Sequence, residues 1–158
     1  MYRIIVIILL CLSNILYSEE IDKTVKKEFI IVYSTTKYKE ALNKCNEVNK
    51  KLNYNINFRG LEYNKEIGLS YSKEILEDKE NGGEEEIFPW YFPRGRNDDG
   101  EYISIEYSNG YKEFKKGYYI IIIASGDEGT LSAKLEKVKK YYKDAYIKRA
   151  KIYMGCME

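Results

Sequence analysis

Residues 117–156, GYYIIIIASGDEGTLSAKLEKVKKYYKDAYIKRAKIYMGC, decide the fold. Tyr118 to Ala124 is a short apolar run of aromatic and β-branched residues, the composition of a strand with little water on either face. Ser125, Gly126, Asp127, Glu128 and Gly129 break it. Thr130 then caps a helix in which Leu131, Leu135, Val138 and Tyr142 fall on one side of a 3.6-residue period. Lys143 and Asp144 interrupt, and Ala145 to Tyr153 alternates as a strand does. The stretch therefore reads strand, turn, helix, strand.

Residues 29–61 read the same way. Phe29 to Ser34 is a second apolar β-type run, and Thr35 and Thr36 end it and cap the next segment. Ala41, Leu42, Cys45, Val48 and Leu52 fall at helical spacing, with Cys45 on the buried side. Ile56, Phe58 and Leu61 alternate as a strand. The period exceeds 80 residues, so the pair is not a solenoid. It predicts one α+β domain over residues 29–156, a β-α-β-β-α-β pseudo-repeat with both helices on one face of the sheet. Its parts are a first unit (29–61), an insertion (62–116) and a second unit (117–156), preceded by a charged linker (19–28).

The insertion resembles neither unit. Residues 67–76 have no clear period, and Asp78 to Glu86 is an acidic, glycine-containing loop by composition. Then comes IFPWYFPRGRNDDGEYISIEYSNGYKEF, residues 87–114, with both prolines and the only tryptophan. It also holds Arg94 and Arg96; Arg59 and Arg149 are the other arginines after Arg3. Tyr102 to Tyr107 alternates as a strand, and Ser108-Asn109-Gly110 signals a hairpin turn into Tyr111–Phe114.

The first residues have a different character. Met1-Tyr2-Arg3 is positive and Ile4 to Leu12 is continuously apolar, the pattern of a secretory signal, with cleavage expected after Ser18. The apolar run falls short of the roughly 20 residues of a membrane span; a lipoprotein with Cys11 modified and an uncleaved anchor are the alternatives. The chain is thus expected in the periplasm or outside the cell, in contact with membrane only through the export signal. Without residues 1–18 it carries 25 basic and 25 acidic residues. Such neutrality does not advertise a nucleic-acid or anionic-membrane partner. Two cysteines then remain, and in an oxidising compartment they predict a Cys45–Cys156 disulfide, the alternative being two buried thiols.

Histidine is absent, which removes Ser-His-Asp and Cys-His schemes and the commonest metal ligand. No CxxC and no phosphate-cradling glycine motif is present. Asn97, Asp99, Gly100 and Glu106 match part of a calcium-loop template, but Gly95 stands where its first acidic ligand belongs, so an ordinary Asp-Gly turn is the preferred reading. Neither a metal nor a cofactor is expected. Asp98, Asp99, Glu101 and Glu106 include no pair whose spacing demands glycosidase chemistry, and the chain reads as no enzyme. The distinctive cluster is Trp90, Tyr91, Arg94 and Arg96, with Tyr102 and Glu106 nearby. Aromatic faces and guanidinium forks suit sugar rings and carboxylates. The competing reading has Trp90 and Phe92 plugging the core while the arginines pair with Asp98 and Asp99.

YYIIIIASG, the helix containing AKLEKVKK, and YYKDAYIKRA together resemble the sporulation-related repeat, or SPOR, domain, whose final strand opens on a pattern like Asp144-Ala145-Tyr146-Ile147-Lys148. The resemblance covers roughly 40 residues well and 29–61 loosely. It implies a ferredoxin-like scaffold in a bacterial envelope protein that binds peptidoglycan glycan strands on its sheet face. A separate exported family on a SPOR-like scaffold is the variant of that reading. Three functions are open: a non-catalytic module binding cell-wall glycan; a module that binds an envelope protein, inhibitor-like, through residues 88–107; and a glycan-acting hydrolase working through its acids.

Overall fold

A computed structural model describes residues 23–77 and 89–155. The expected signal segment 1–18 and the acidic loop 78–86 lie outside the described residues, as does Cys156. Strand β1 (Thr24–Thr35) leads into helix α1 (Tyr38–Leu52), then strands β2 (Leu61–Asn64) and β3 (Gly68–Tyr71) and the short helix α2 (Lys73–Glu77). Strand β4 (Gly100–Tyr107), strand β5 (Tyr119–Asp127), helix α3 (Ser132–Lys139) and strand β6 (Tyr146–Tyr153) complete the order. The fold is α+β. Its main sheet has the order β4-β5-β1-β6 with every neighbouring pair antiparallel, and β2-β3 is a separate hairpin.

The apolar runs form the two central strands because both faces of the sheet are covered. Ile30, Val32, Ile121 and Ile123 meet Ala41, Cys45 and Val48 of α1, Leu131 just before α3, and Val138 of α3 in one core. Phe29, Ile31, Ile120 and Ile122 face the other way and meet Tyr111 and Phe114. Burying apolar surface on both faces is the largest favourable contribution here, at about 25 cal/mol per Å² removed from water. Helix α1 ends on Asn53, whose left-handed backbone (φ 55°) lets its N–H donate to the Asn49 carbonyl at 2.8 Å. The start of α3 meets the buried Glu28 carboxylate, to which the Leu131 N–H donates.

Three expectations are corrected. The strand expected at 56–61 is not in the main sheet; Ile56 makes only an isolated parallel bridge to Ile103, along the outer edge of β4. The strand that pairs with β5 is β4, which lies inside the segment 62–116 expected as an insertion, so residues 53–99 are what separate α1 from the next strand of the main sheet. Alternation alone could not choose between the two segments, and pairing with β5 chose β4. The charged linker begins as sheet from Thr24, because its charges find partners: Lys27 reaches Asp127 (2.7 Å) and Asp99 (2.5 Å), and Glu28 pairs with Arg149 (2.8 Å). Those hydrogen bonds outweigh the burial that opposes them and hold the Lys27 ammonium above its ordinary pKa. The Ser108-Asn109-Gly110 turn is 3₁₀, and no strand forms after it at 111–114. Ser108 Oγ accepts from Tyr118 N–H and Asn109 Oδ1 from Gly117 N–H, closing a longer loop in which Tyr111 and Phe114 stack at 4.5 Å.

Cys45 lies inside the helix-side core as a thiol, and its expected disulfide partner, Cys156, is outside the described residues. Gly155, beside Cys156 in sequence, has its carbonyl held by Arg96, which belongs to the opposite face. Burial pushes the Cys45 thiol up to about 11. A raised pKa stabilises the fold fully below the ordinary thiol range, and that contribution is lost as pH rises from about 9 through 11. In a Cys11→Ser, Cys156→Ser background, Cys45 is expected to react with a thiol reagent only on unfolding, at a rate set by the denaturant; fast reaction with native protein at neutral pH would contradict this packing.

Candidate functional site

Residues 89–98 form a strap across the sheet face opposite the helices. Gly95 (φ 109°) lies so close that an added Cβ would stand 2.9 Å from the Phe29 ring and 3.4 Å from Ile152. Arg94, 0 % exposed, pins the strap. Its Nε donates to Ser125 Oγ (3.0 Å), and Nη1 donates to Tyr102 O (2.9 Å), Ser104 Oγ (3.1 Å) and Ile122 O (3.3 Å). Nη2 donates to Gly100 O (2.7 Å), and the guanidinium lies 3.5 Å over the Tyr102 ring. Among the described residues it has no carboxylate partner, and burial lowers its pKa.

A second buried network stands beside it. Glu106, also 0 % exposed, takes both Nη1 contacts of Arg59 (2.9 and 3.1 Å) and the Tyr91 hydroxyl (2.7 Å). Arg59 Nε meets Asp98 at 2.5 Å. Burial works against the Arg59 charge, but Glu106 and Asp98 outweigh it and hold the guanidinium above its ordinary value. Burial, then Glu106, pushes the Tyr91 hydroxyl well above the phenol range. Burial also brings Tyr102 up to about 12 against the pull of Arg94.

The six candidate residues are therefore near one another but differ in kind. Arg94 and Glu106 hold the strap to the sheet from inside and offer no ligand surface, while Tyr91 turns its hydroxyl inward to Glu106 and keeps part of its side chain exposed. Trp90, Arg96 and Tyr102 keep partial exposure, and Trp90 packs on Phe92 (4.0 Å) and Tyr71 (5.8 Å). The expected pairing of arginines with Asp98 and Asp99 is redirected: Asp98 serves Arg59, and Asp99 serves Lys27. Glu106 and Asp99, the two charged positions of the calcium template, are thus held by cations. Sequence reasoning missed Arg59. Its only cue is the Arg-Gly turn, in which both residues adopt positive φ (59° and 70°).

The strap leaves part of this face open at the far end of β1. A groove of about 200 Å³ remains there, floored by Ile31 and Ile120. Tyr118, Tyr146 and Phe114 wall it, and Lys115 and Lys148 stand at its rim. Tyr146 is 45 % exposed. The lysines lie over aromatic rings (Lys115 over Tyr118 at 5.2 Å, Lys148 over Phe114 at 5.8 Å) and have no carboxylate partner among the described residues. Aromatic faces with unpaired ammonium groups suit sugar rings that carry hydroxyls and carboxylates. A second groove, of about 300 Å³, lies between Arg59, Tyr71, Phe92, Arg96 and Asp98.

Together these features define an α+β domain with a strapped sheet face and, beside the strap, a tyrosine- and lysine-lined opening. No family model, curated protein or solved structure matches the chain.

Proposed function

We propose that the chain is a non-catalytic binding module of the bacterial cell envelope, periplasmic or secreted, that takes peptidoglycan glycan strands on a SPOR-like, ferredoxin-like scaffold. The observation that carries the reading is the groove between Tyr118 and Tyr146, on the face a glycan-binding sheet of that kind would use. The scaffold reading is supported by the sheet order β4-β5-β1-β6 and by the packing of α1 and α3 in one core on one face. The strap narrows the available surface, so the ligand contact is short: a few sugar units rather than the whole sheet. Tyr118 and Tyr146 stack on ring faces, and Lys115 and Lys148 donate to hydroxyls or carboxylates.

Sedimentation with purified sacculi tests this. Wild-type protein is expected in the pellet at moderate salt. Tyr146→Ala combined with Lys148→Ala should weaken retention about thirtyfold, two lost contacts of about 1 kcal/mol each, with little change in melting temperature because both side chains border the groove. Absence of wild-type retention would refute the reading. An envelope-protein contact through residues 88–107 is a second reading, favoured by the partial exposure of Trp90 and Arg96 beside the second groove.

A further inference from the structure

The helix layer carries a charge that the whole chain hides. The full sequence has a formal net charge of only +1. Residues 37–54 and 131–144, which contain α1, α3 and their flanks, hold ten lysines and four acidic residues. Four of those lysines are paired: Lys37 with Glu40, Lys44 with Glu47, Lys139 with Glu136, and Lys134 with Glu101 of β4. Lys39, Lys50, Lys51, Lys137, Lys140 and Lys143 are exposed and have no carboxylate partner among the described residues. The balancing acids lie elsewhere, and many are committed to other cations: Glu28 to Arg149, Asp98 and Glu106 to Arg59, and Asp99 and Asp127 to Lys27.

Within this layer the seam between the helices opens into a groove of about 120 Å³. Lys51 and Lys137 flank it with Tyr54 and Tyr141, Leu52 and Val138 form its floor, and no acidic residue lines it. Tyr141 is 53 % exposed. Lysines in the last turn of a helix ordinarily complement the helix dipole. That accounts for Lys50, Lys51, Lys137 and Lys139, but not for Lys39, Lys140 and Lys143.

We infer that the helix layer is a docking surface for an anionic phospholipid bilayer, with Lys51, Lys137 and Lys140 at its centre and Tyr141 at headgroup depth. Charge complementarity favours it: unpaired lysines on one face sum their attraction to a negative surface, and phenol rings favour the boundary between water and acyl chain. The neutrality of the chain counts against such a partner only while its charges are interspersed, and folding segregates them. The sheet face then points away from the bilayer, so the two binding faces do not compete, and docking of the helix layer does not depend on glycan binding.

Vesicle co-sedimentation with the wild-type chain tests it. At about 50 mM salt, partition onto phosphatidylcholine vesicles containing about 30 mol% phosphatidylglycerol should exceed that onto pure phosphatidylcholine by about tenfold or more, and the difference should collapse when salt rises about tenfold. The triple variant K51E/K137E/K140E should lose about tenfold or more of the partition, each lysine near the surface being worth roughly fivefold. K112E/K115E/K148E makes the same net charge change on the opposite side of the sheet; it should keep vesicle binding within about twofold while losing sacculus binding. Equal partition onto neutral and anionic vesicles would overturn the inference, as would equal loss in the two triple variants. A melting curve for each variant separates lost folding from lost docking, and the wild-type salt series decides the matter if a variant fails to fold.

Discussion

Arg59→Ala is expected to lower folding stability by about 3–5 kcal/mol, and the melting temperature by on the order of 10 °C, because it leaves a buried carboxylate without its cation. Glu106 is fully buried, and beside Arg59 it is met by the Tyr91 hydroxyl. One neutral donor does not replace a two-contact guanidinium for a charge removed from water. Asp98 loses the same partner but keeps water and the Gly95 N–H, so it adds less to the loss. A second variant serves as internal control. Glu106→Gln in the Arg59→Ala background removes the stranded charge and should recover more than half of the loss, measured as the shift in urea midpoint at constant slope. A loss below about 1 kcal/mol for Arg59→Ala, or no recovery in the double variant, would show that the carboxylate is not held as described.

The same pair explains why part of the molecule is legible in the sequence and part is not. Tyr118–Ala124 and Phe29–Ser34 are readable as strands because an apolar run covered on both faces needs no partner to identify it. Cys45 is readable as buried because Ala41, Cys45 and Val48 repeat at helical spacing. The pairing of strands is less accessible. Ile56, Phe58 and Leu61 and residues 102–107 both alternate, but β4 turns Ser104 and Glu106 toward a buried face. Polar residues at inward positions look like solvent positions until their partners are known. Those partners are Arg94, ten residues away, and Arg59, 47 residues away. Burial of the candidate ligand residues is hidden for the same reason: Arg94 and Glu106 have the residue types of a binding site and the surroundings of a core. Charge segregation is hidden differently, since whole-chain totals average over faces that only the fold separates.

The strap also links stability to the proposed glycan surface. It covers Phe29 and Ile152, and beyond its end the same face stays open at Ile31 and Ile120. Tyr111 and Phe114, which stack under the strap side, supply Phe114 to the groove wall. Loosening the strap would enlarge the apolar face and blur the short site.

Arg94→Ala should therefore be among the most damaging single changes in the protein, at about 3 kcal/mol or more. The cause is an irregularity in β4. Gly100 and Glu101 pair with Ser125 and Ala124, whereas Ser104 pairs with Ile122, so the β4–β5 register shifts between residues 101 and 104. Arg94 donates to Gly100 O, Tyr102 O and Ile122 O, all on this stretch, and to the hydroxyls of Ser104 and Ser125. It bridges the stretch where the ladder is interrupted. Alanine strands those buried acceptors and leaves a cavity under the strap. Lysine cannot reproduce it, because one ammonium cannot reach five acceptors from three directions, so Arg94→Lys should still lose about 2 kcal/mol. Hydrogen exchange discriminates this from a general loss of stability. Under native conditions the amides of residues 100–104 and 122–125 should lose protection first in Arg94→Lys, and a dye that binds apolar surface should report the uncovered face around Phe29 and Ile152. If exchange instead rises evenly across the sheet, Arg94 acts only as bulk packing and does not hold the strap specifically.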